Sequence, residues 1–259
     1  MGNPDLAGAY LCSGETDSAV FYGFIKSTRY IGVVTNQDRQ RIMLQETHDS
    51  RDGADGIRPA FLAHIVLRTG QPKAMIDWYK SVLNASIVHA NDQVTFLTYD
   101  DEHHRIAIAH VPILGKRAKH RAGVDHVAFT YANLPDLLTH FAHLRSMGIE
   151  PIWSINHGPT TSLYYEDPDR NVLELQVDNF SSLEEIAEWM EGGDFNENPI
   201  GVDFDPVELK RRHDSGEDIK VLTARPRIGE RSASSIPKAY LGRFASLAVR
   251  TAKALGAKV

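Results

Sequence analysis

The sequence has little that would indicate a secreted, membrane or nucleic-acid-binding protein. Its 259 residues include one cysteine, so no disulfide can form within the chain. No run approaches the ~20 apolar residues of a membrane-spanning helix. Acidic residues outnumber basic ones by 34 to 28, unlike the basic surface of a nucleic-acid-binding domain. Residues 1–17 lack a basic stretch followed by an apolar one. We therefore expect no secretory signal, a cytoplasmic location, and neither a nucleic-acid nor a membrane partner.

Histidine is the polar residue whose number stands out, with 12 in the chain. Two of the histidines lie in short apolar runs typical of strands: His64 in FLAHIVLRT (61–69) and His126 in GVDHVAFTY (123–131). Histidine is the commonest metal ligand and the side chain best suited to carry protons near neutral pH. The same polar residue at the centre of two such runs suggests that both serve one site.

Residues 60–178 form two copies of one βαβββ unit, with modules at about 60–113 and 122–178. In each copy a strand is followed by a helix and then by three short strands, and His126 follows His64 by 62 residues. This repeat predicts an α+β fold built from paired modules.

Two extensions of different character flank the repeat. Residues 1–59 contain one β-rich piece and end in a polar linker at 47–59, whereas residues 179–259 are polar and helix-prone. Ser181 and Glu184 have the spacing of a capping box, which predicts the start of a helix there. The helices of this C-terminal extension could cover an open end of the repeat.

The last strand of the second module carries a carboxylate on the face away from its helix. Leu173 and Leu175 alternate with Glu174, so Glu174 points to the side that a curved pair of modules would enclose. A carboxylate there is costly unless it is paired or bound to a metal. Together with the imidazoles of His64 and His126 it suits an Fe(II) site with open coordination positions. Any one of these residues alone is more often a hydrogen-bonded or solvated strand residue, but their matching places in a repeat favour the metal site.

This pattern resembles the vicinal oxygen chelate superfamily, which is built from paired βαβββ modules, and within it the type I extradiol catechol dioxygenases. The resemblance covers about residues 60–178. It implies a curved, partly open mixed β-barrel around a metal held by His64, His126 and Glu174. The implied metal is Fe(II), and Mn(II) is possible with the same ligands.

Three further motifs resemble segments of that family. SLYYEDPDRNVLELQ (162–176) is similar to its end signature, which implies that Tyr164 hydrogen-bonds an oxygen of the substrate. DEHHRIAIA (101–109) resembles its His-His segment and assigns His104 as the acid–base residue. NHGPTT (156–161) resembles its later histidine segment and places His157 near the substrate hydroxyls.

The resemblance implies a dioxygenase that cleaves an aromatic diol with O₂ and acts as a homo-oligomer. Glyoxalases and epimerases of the superfamily generally use a fourth, acidic ligand from the first module. No Asp or Glu lies between His103 and Val124, and counting by the spacing of the second module puts Pro112 at the equivalent position. This absence favours the dioxygenase. A lyase, isomerase or hydroxylase with the same three ligands remains an alternative, as does a non-catalytic protein that binds an aromatic ligand.

Overall fold

The computed structural model describes residues 59–119 and 122–255, together with the backbone of two strands, β1 (Ala19–Ile25) and β2 (Thr28–Val34). The chain divides into two compact units, Met1–Phe61 and Leu62–Val259. In the first unit β1 and β2 pair as an antiparallel hairpin, which confirms the β-rich piece expected there. The predicted linker at 47–59 lies, except for its last residue, outside the described residues.

The first βαβββ module forms a four-stranded mixed sheet in the order β3-β6-β5-β4. Strand β3 pairs with β6 in parallel, and the other pairs are antiparallel. Its elements are β3 (Ile65–Thr69), α1 (Pro72–Val82), β4 (Ser86–Ala90), β5 (Val94–Thr98) and β6 (Ile106–His110). Strand β3 begins later than the predicted strand, so His64 lies immediately before it.

The second module repeats this pattern and gains one strand from the C-terminal extension. Its elements are β7 (His126–Thr130), α2 (Leu134–Ser146), β8 (Trp153–Asn156), β9 (Thr160–Glu166) and β10 (Val172–Asp178). Strand β11 (Val202–Asp203) pairs with β8, which gives the order β11-β8-β9-β10-β7. The predicted α+β fold of two βαβββ units is confirmed. In the described residues the strands form separate mixed sheets and no closed barrel.

One apolar core joins the two modules. It contains Met75 and Tyr79 from α1, Leu137 from α2, and residues from both sheets, among them Ile106 and Leu173. All five are almost fully buried, so this cluster supplies most of the hydrophobic driving force for folding of the repeat. The modules are therefore packed together through the sides of their sheets that carry the helices.

The helices begin at residues that local sequence signals indicate, except that the cap of one helix lies one residue later than predicted. Asn133 caps α2 by accepting a hydrogen bond from the backbone N–H of Asp136 at 2.8 Å. Helix α3 (Leu183–Glu191) is capped by Ser182, which accepts from the N–H of Glu185, rather than by the predicted pair Ser181 and Glu184. Two serines precede two glutamates, so both registers have the spacing of a capping box, and the sequence alone could not select between them.

The C-terminal extension covers one face of the second sheet. A second apolar cluster joins Trp153 and Tyr164 on that face to Ile236 and Tyr240 of the extension. The extension also contains the α-helices α4 (Gly193–Glu197), α5 (Pro206–Asp214), α6 (Ile219–Thr223), α7 (Lys238–Leu241) and α8 (Arg243–Ala254), and a short 3-10 helix at Ala233–Ser235. Among the described residues, none of the helices is both long and apolar enough to cross a bilayer.

Candidate metal centre

A row of four side chains crosses the second sheet on the face away from the shared core. Strand register places Tyr164 of β9 beside Glu174 of β10 and Trp153 of β8 beside Tyr164. On the other side, Glu174 pairs with Ala128, two residues after His126 in the adjacent parallel strand β7. Because alternate strand residues point to the same face, His126 and Glu174 lie side by side.

His126 and Glu174 form the centre of this row. Nε2 of His126 lies 3.1 Å from Oε2 of Glu174, and the glutamate is only 4% exposed. The hydrogen bond to Glu174 is the main reason why the pKa of His126 is raised to about 8, since burial of the ring acts in the opposite direction. A nitrogen and a carboxylate oxygen thus converge from neighbouring strands.

Glu174 is held as a carboxylate despite its burial. Burial alone would raise its pKa, but hydrogen bonds from His126 and Ser162 outweigh this effect and the pKa is lowered. An ionised carboxylate and an imidazole nitrogen are donors that divalent first-row metals accept. In the absence of metal, the proton on His126 supplies the positive charge beside Glu174. The chemistry of this pair fits a divalent metal ion.

The other ring nitrogen of His126, Nδ1, is held by hydrogen bonds on the side of the ring away from Glu174. Nδ1 donates to Oδ2 of Asp125 at 2.9 Å and lies 3.1 Å from the hydroxyl of Tyr240, which itself donates to Asp125. This leaves Nε2 directed at Glu174. Metal-ligating histidines almost always have such a partner, because it fixes the tautomer and the orientation of the ring.

Tyr164 and His157 lie next to the pair. Nδ1 of His157 donates to the carbonyl of Ile200 at 2.6 Å, so Nε2 accepts from the hydroxyl of Tyr164 at 2.9 Å. Burial lowers the pKa of His157 and, together with the charge of Glu174, raises that of Tyr164. The site therefore contains a neutral imidazole and a protonated phenol within hydrogen-bonding distance of each other.

His64 and His104 lie together in a different place, on the first module. Their ring centroids are 4.4 Å apart, and Phe96 stacks on His104 at 4.4 Å. Burial and the neighbouring rings of His64 and His103 lower the pKa of His104. His103 and His104 both precede β6 in a loop, where strand alternation does not apply, and their Nδ1 atoms lie 2.6 Å apart.

The six residues predicted for the site thus form two groups. The structure brings together His126, Glu174, Tyr164 and His157, and places His64 with His104. Within residues 59–119 and 122–255, no three His, Cys, Asp or Glu side chains are grouped so that they could hold a metal ion. The ligand set of His64, His126 and Glu174 stays a prediction.

The site residues that the sequence analysis did not assign differ in whether any local signal points to them. Asp125 directly precedes a predicted ligand and Trp153 shares the face of Tyr164, so adjacency and strand alternation could have identified both. Tyr240 packs against Trp153 and Tyr164 with ring centroids 4.9 and 5.2 Å away, respectively. It lies far along the chain and outside any motif, so only the fold reveals it.

Comparisons with known proteins add three findings. The family model described as "Glyoxalase/Bleomycin resistance protein/Dioxygenase superfamily" matches residues 61–175. Biphenyl-2,3-diol 1,2-dioxygenase 2 of Rhodococcus globerulus is 45% identical over 162 residues, which cover 62% of this chain and 85% of that protein. Biphenyl-2,3-diol 1,2-dioxygenase 3 of the same organism is 44% identical over 166 residues, which cover 63% of this chain and 87% of that protein.

Proposed function

The chain belongs to the glyoxalase/bleomycin resistance protein/dioxygenase superfamily, and we propose that it is an extradiol dioxygenase, which opens a catechol-type aromatic ring with O₂. The observation that carries this proposal is the buried pair of His126 and Glu174 beside the neutral His157 and the protonated Tyr164. Both named relatives, at 45% and 44% identity, are biphenyl-2,3-diol dioxygenases. A biphenyl-2,3-diol is therefore the first substrate to assay.

We propose that His64, His126 and Glu174 hold the metal and that it is Fe(II), although Mn(II) suits the same donors. Bound Fe(II) would supply a Lewis-acidic, redox-active centre at which the diol and O₂ meet. Three protein ligands leave coordination positions open for both reactants. Asp125 and Tyr240 orient His126 through Nδ1, so that Nε2 would be free to bind the metal.

The remaining residues transfer protons or hold the diol in position. Tyr164 donates from its phenol to an oxygen of the bound substrate, and neutral His157 accepts a hydrogen bond from a diol hydroxyl or from Tyr164. His104, whose lowered pKa keeps its imidazole neutral, takes a proton from the diol and returns it when the ring opens. Acid–base help of this kind contributes ~10²–10⁴-fold in rate. Trp153 and Tyr240 offer aromatic walls for the ring.

Two alternatives are less well supported. A lyase, isomerase or hydroxylase could use the same ligands, but neither named relative has such an activity. A protein that only binds an aromatic ligand has no use for a buried carboxylate paired with a histidine, which is costly to maintain. The cytoplasmic location and the homo-oligomeric state stay predictions.

The test is oxygen uptake by protein loaded anaerobically with Fe(II) and mixed with biphenyl-2,3-diol or catechol. We expect uptake together with a yellow ring-opened product, and loss of both in His126→Ala. His143→Ala is the matched control, because this histidine is exposed on α2, away from the candidate site. Iron bound at one equivalent per chain without oxygen uptake would show that the reaction class is wrong, and normal uptake in His126→Ala would remove that residue from the ligand set.

A further inference from the structure

We propose that Arg225, in the C-terminal extension, is a positioning residue for His157: it ties together the two chain segments that fix the direction of the His157 ring. The kinetic consequence rests on the role proposed above for His157, whereas the structural consequence can be measured without any reaction. Arg225 follows α6 and lies outside residues 61–175, which the family model matches. The βαβββ repeat therefore does not supply this residue.

The His157 ring takes its direction from a loop of the extension. Its Nδ1 donates to the carbonyl of Ile200 at 2.6 Å, and this bond leaves Nε2 for the hydroxyl of Tyr164. The hydrogen bond made by one ring nitrogen determines which nitrogen carries the proton. A displacement of Ile200 would therefore turn the ring or change its tautomer, so the groups that hold Ile200 also determine what His157 presents to the site.

Asn198 fixes the turn that contains Ile200. Its side-chain oxygen accepts from the backbone N–H groups of Ile200 and Gly201 at 3.1 and 2.9 Å, and its amide donates to the carbonyl of Gly201 at 3.0 Å. The turn lies directly against the backbone of His157, because a Cβ on Gly201 would lie 2.9 Å from the Cα atom of His157. The acceptor of the ring thus belongs to a turn whose shape is fixed by internal hydrogen bonds and by close contact with His157.

Arg225 joins this turn to the segment that carries His157. Its Nη1 donates to the carbonyls of His157 and Asn198 at 3.1 and 2.8 Å, and its Nη2 donates to the carbonyl of Asp194 at 2.7 Å. One planar guanidinium therefore connects backbone carbonyls of two segments, with its donors in a fixed arrangement. A lysine ammonium is a point charge on a flexible stem and does not reproduce this arrangement.

Trp189 of α3 holds the guanidinium in place. Cζ of Arg225 lies 4.7 Å from the centroid of the Trp189 ring, which is the distance of a cation–π contact. The same indole packs on Gly158, the residue after His157, so closely that a Cβ there would lie 2.1 Å from it. Trp189 therefore contacts both Arg225 and the segment that carries His157.

The Nδ1 proton of His157 reports directly on this arrangement. In metal-free protein with isotope-labelled histidine, a ring proton bonded at 2.6 Å should exchange slowly with water and give a downfield signal in the proton NMR spectrum. His157→Ala assigns the signal by removing it. Arg225→Met, which has a side chain of similar length and no donor, should broaden or abolish the signal. Arg225→Lys keeps the charge without the fork and should weaken the signal as well.

A neighbouring arginine gives the matched control. The side chain of Arg227 is 80% exposed and pairs with the carboxylate of Asp194 at 3.0 Å, so Arg227→Met should leave the His157 signal unchanged. Thermal unfolding checks that each variant is folded, and Arg225→Lys decides the question if Arg225→Met does not fold. An unchanged signal in folded Arg225→Lys and Arg225→Met would overturn the inference.

Turnover by the Fe(II)-loaded protein tests whether Arg225 acts through His157. In Arg225→Met, kcat/KM for biphenyl-2,3-diol should fall about 10- to 100-fold, since small misplacements of an active-site group have effects of this size. Iron content should stay that of wild type. In a chain that also carries His157→Ala, the same substitution should change kcat/KM by about twofold or less, because no ring is left to position. Equal losses with and without His157 would show a merely structural role and overturn the inference.

The two measurements separate this inference from the proposed reaction. Loss of the ring-proton signal in Arg225→Met, without diol cleavage by wild type, would support the positioning role and reject the dioxygenase. Diol cleavage by wild type, with a ring-proton signal that is unchanged in both Arg225 variants, would support the dioxygenase and reject the positioning role.

Discussion

Metal binding should release a proton from His126, and the amount can be calculated from the structure. The hydrogen bond to Glu174 raises the pKa of His126 to about 8, so the metal-free ring carries a proton at neutral pH. A metal can bind Nε2 only after this proton leaves. With a pKa of about 8 the ring is roughly 90% protonated at pH 7 and roughly 10% at pH 9. His126 should therefore release about 0.9 proton per metal at pH 7 and about 0.1 at pH 9. Glu174 adds none, because its pKa is lowered and it is already ionised.

Calorimetry in buffers of different ionisation enthalpy measures this release. The slope of the observed binding enthalpy against the buffer enthalpy gives the number of protons per Mn(II) bound, and Mn(II) avoids oxidation during the titration. Asp125→Asn separates His126 from other sources, because it removes one of the charges that raise the pKa of that ring. Proton release at pH 7 should fall by a few tenths in this variant. His143→Ala should match wild type.

Two results would refute this reasoning. Proton release that is the same at pH 7 and pH 9 would mean that His126 is not the group that loses the proton. Equal release by wild type and Asp125→Asn at pH 7 would mean that Asp125 does not govern the titration of the ring. Either result would refute the proposal that His126 is protonated beside Glu174 in the metal-free protein and loses this proton when the metal binds.

Three further predictions concern single positions. Tyr240→Phe removes the hydroxyl that binds Asp125 and should weaken metal affinity about 10-fold in a titration, while the fold is kept. His104→Ala should bind iron normally yet turn over ~10²–10⁴-fold more slowly, and normal turnover would exclude it from proton transfer. Gly158→Ala places a Cβ 2.1 Å from the indole of Trp189 at a φ of +105°, so thermal unfolding should show a loss of about 1–3 kcal/mol. Gly115→Ala, with no atom within 4 Å of its new Cβ, is the control and should cause much less destabilisation.

Local sequence signals predicted the helices and strands of both modules and part of the candidate site. Apolar periodicity and the repeat gave both βαβββ units, and alternation correctly put Glu174 on the face away from Leu173 and Leu175. These signals work because they depend on residues close together in sequence. They do not predict how the two modules pack against each other. That packing depends on the shared core, which joins residues far apart in sequence. The separation of His64 from His126 and Glu174 could not be predicted for that reason.

A second prediction concerned the position in the first module that corresponds to Glu174, and differences in length between the modules limited it. Counting by spacing assigned Pro112 as the counterpart of Glu174 in the first module, but strand register gives Ala107. Glu174 pairs with Ala128, two residues after His126, and Ala107 pairs with Val66, two residues after His64. The first module reaches this position in fewer residues, mainly because α1, the loop that follows it and β5 are shorter than their counterparts α2, the loop after α2 and β9. Pairing between strands, unlike spacing along the chain, is fixed by hydrogen bonds.

Ala107 makes the proposed centre asymmetric even though the two modules share one fold. Each module has a histidine beside a parallel pair of strands, His126 at the start of β7 and His64 immediately before β3, yet only the second module has a carboxylate on the neighbouring strand. The first module has a methyl group there, which offers no ligand. In the proposed ligand set, the second module therefore contributes two donors and the first contributes one. Three donors rather than four leave coordination positions free, and a reaction that joins a two-oxygen substrate to O₂ requires those positions. The loss of symmetry between the copies of the module is thus what allows the proposed chemistry.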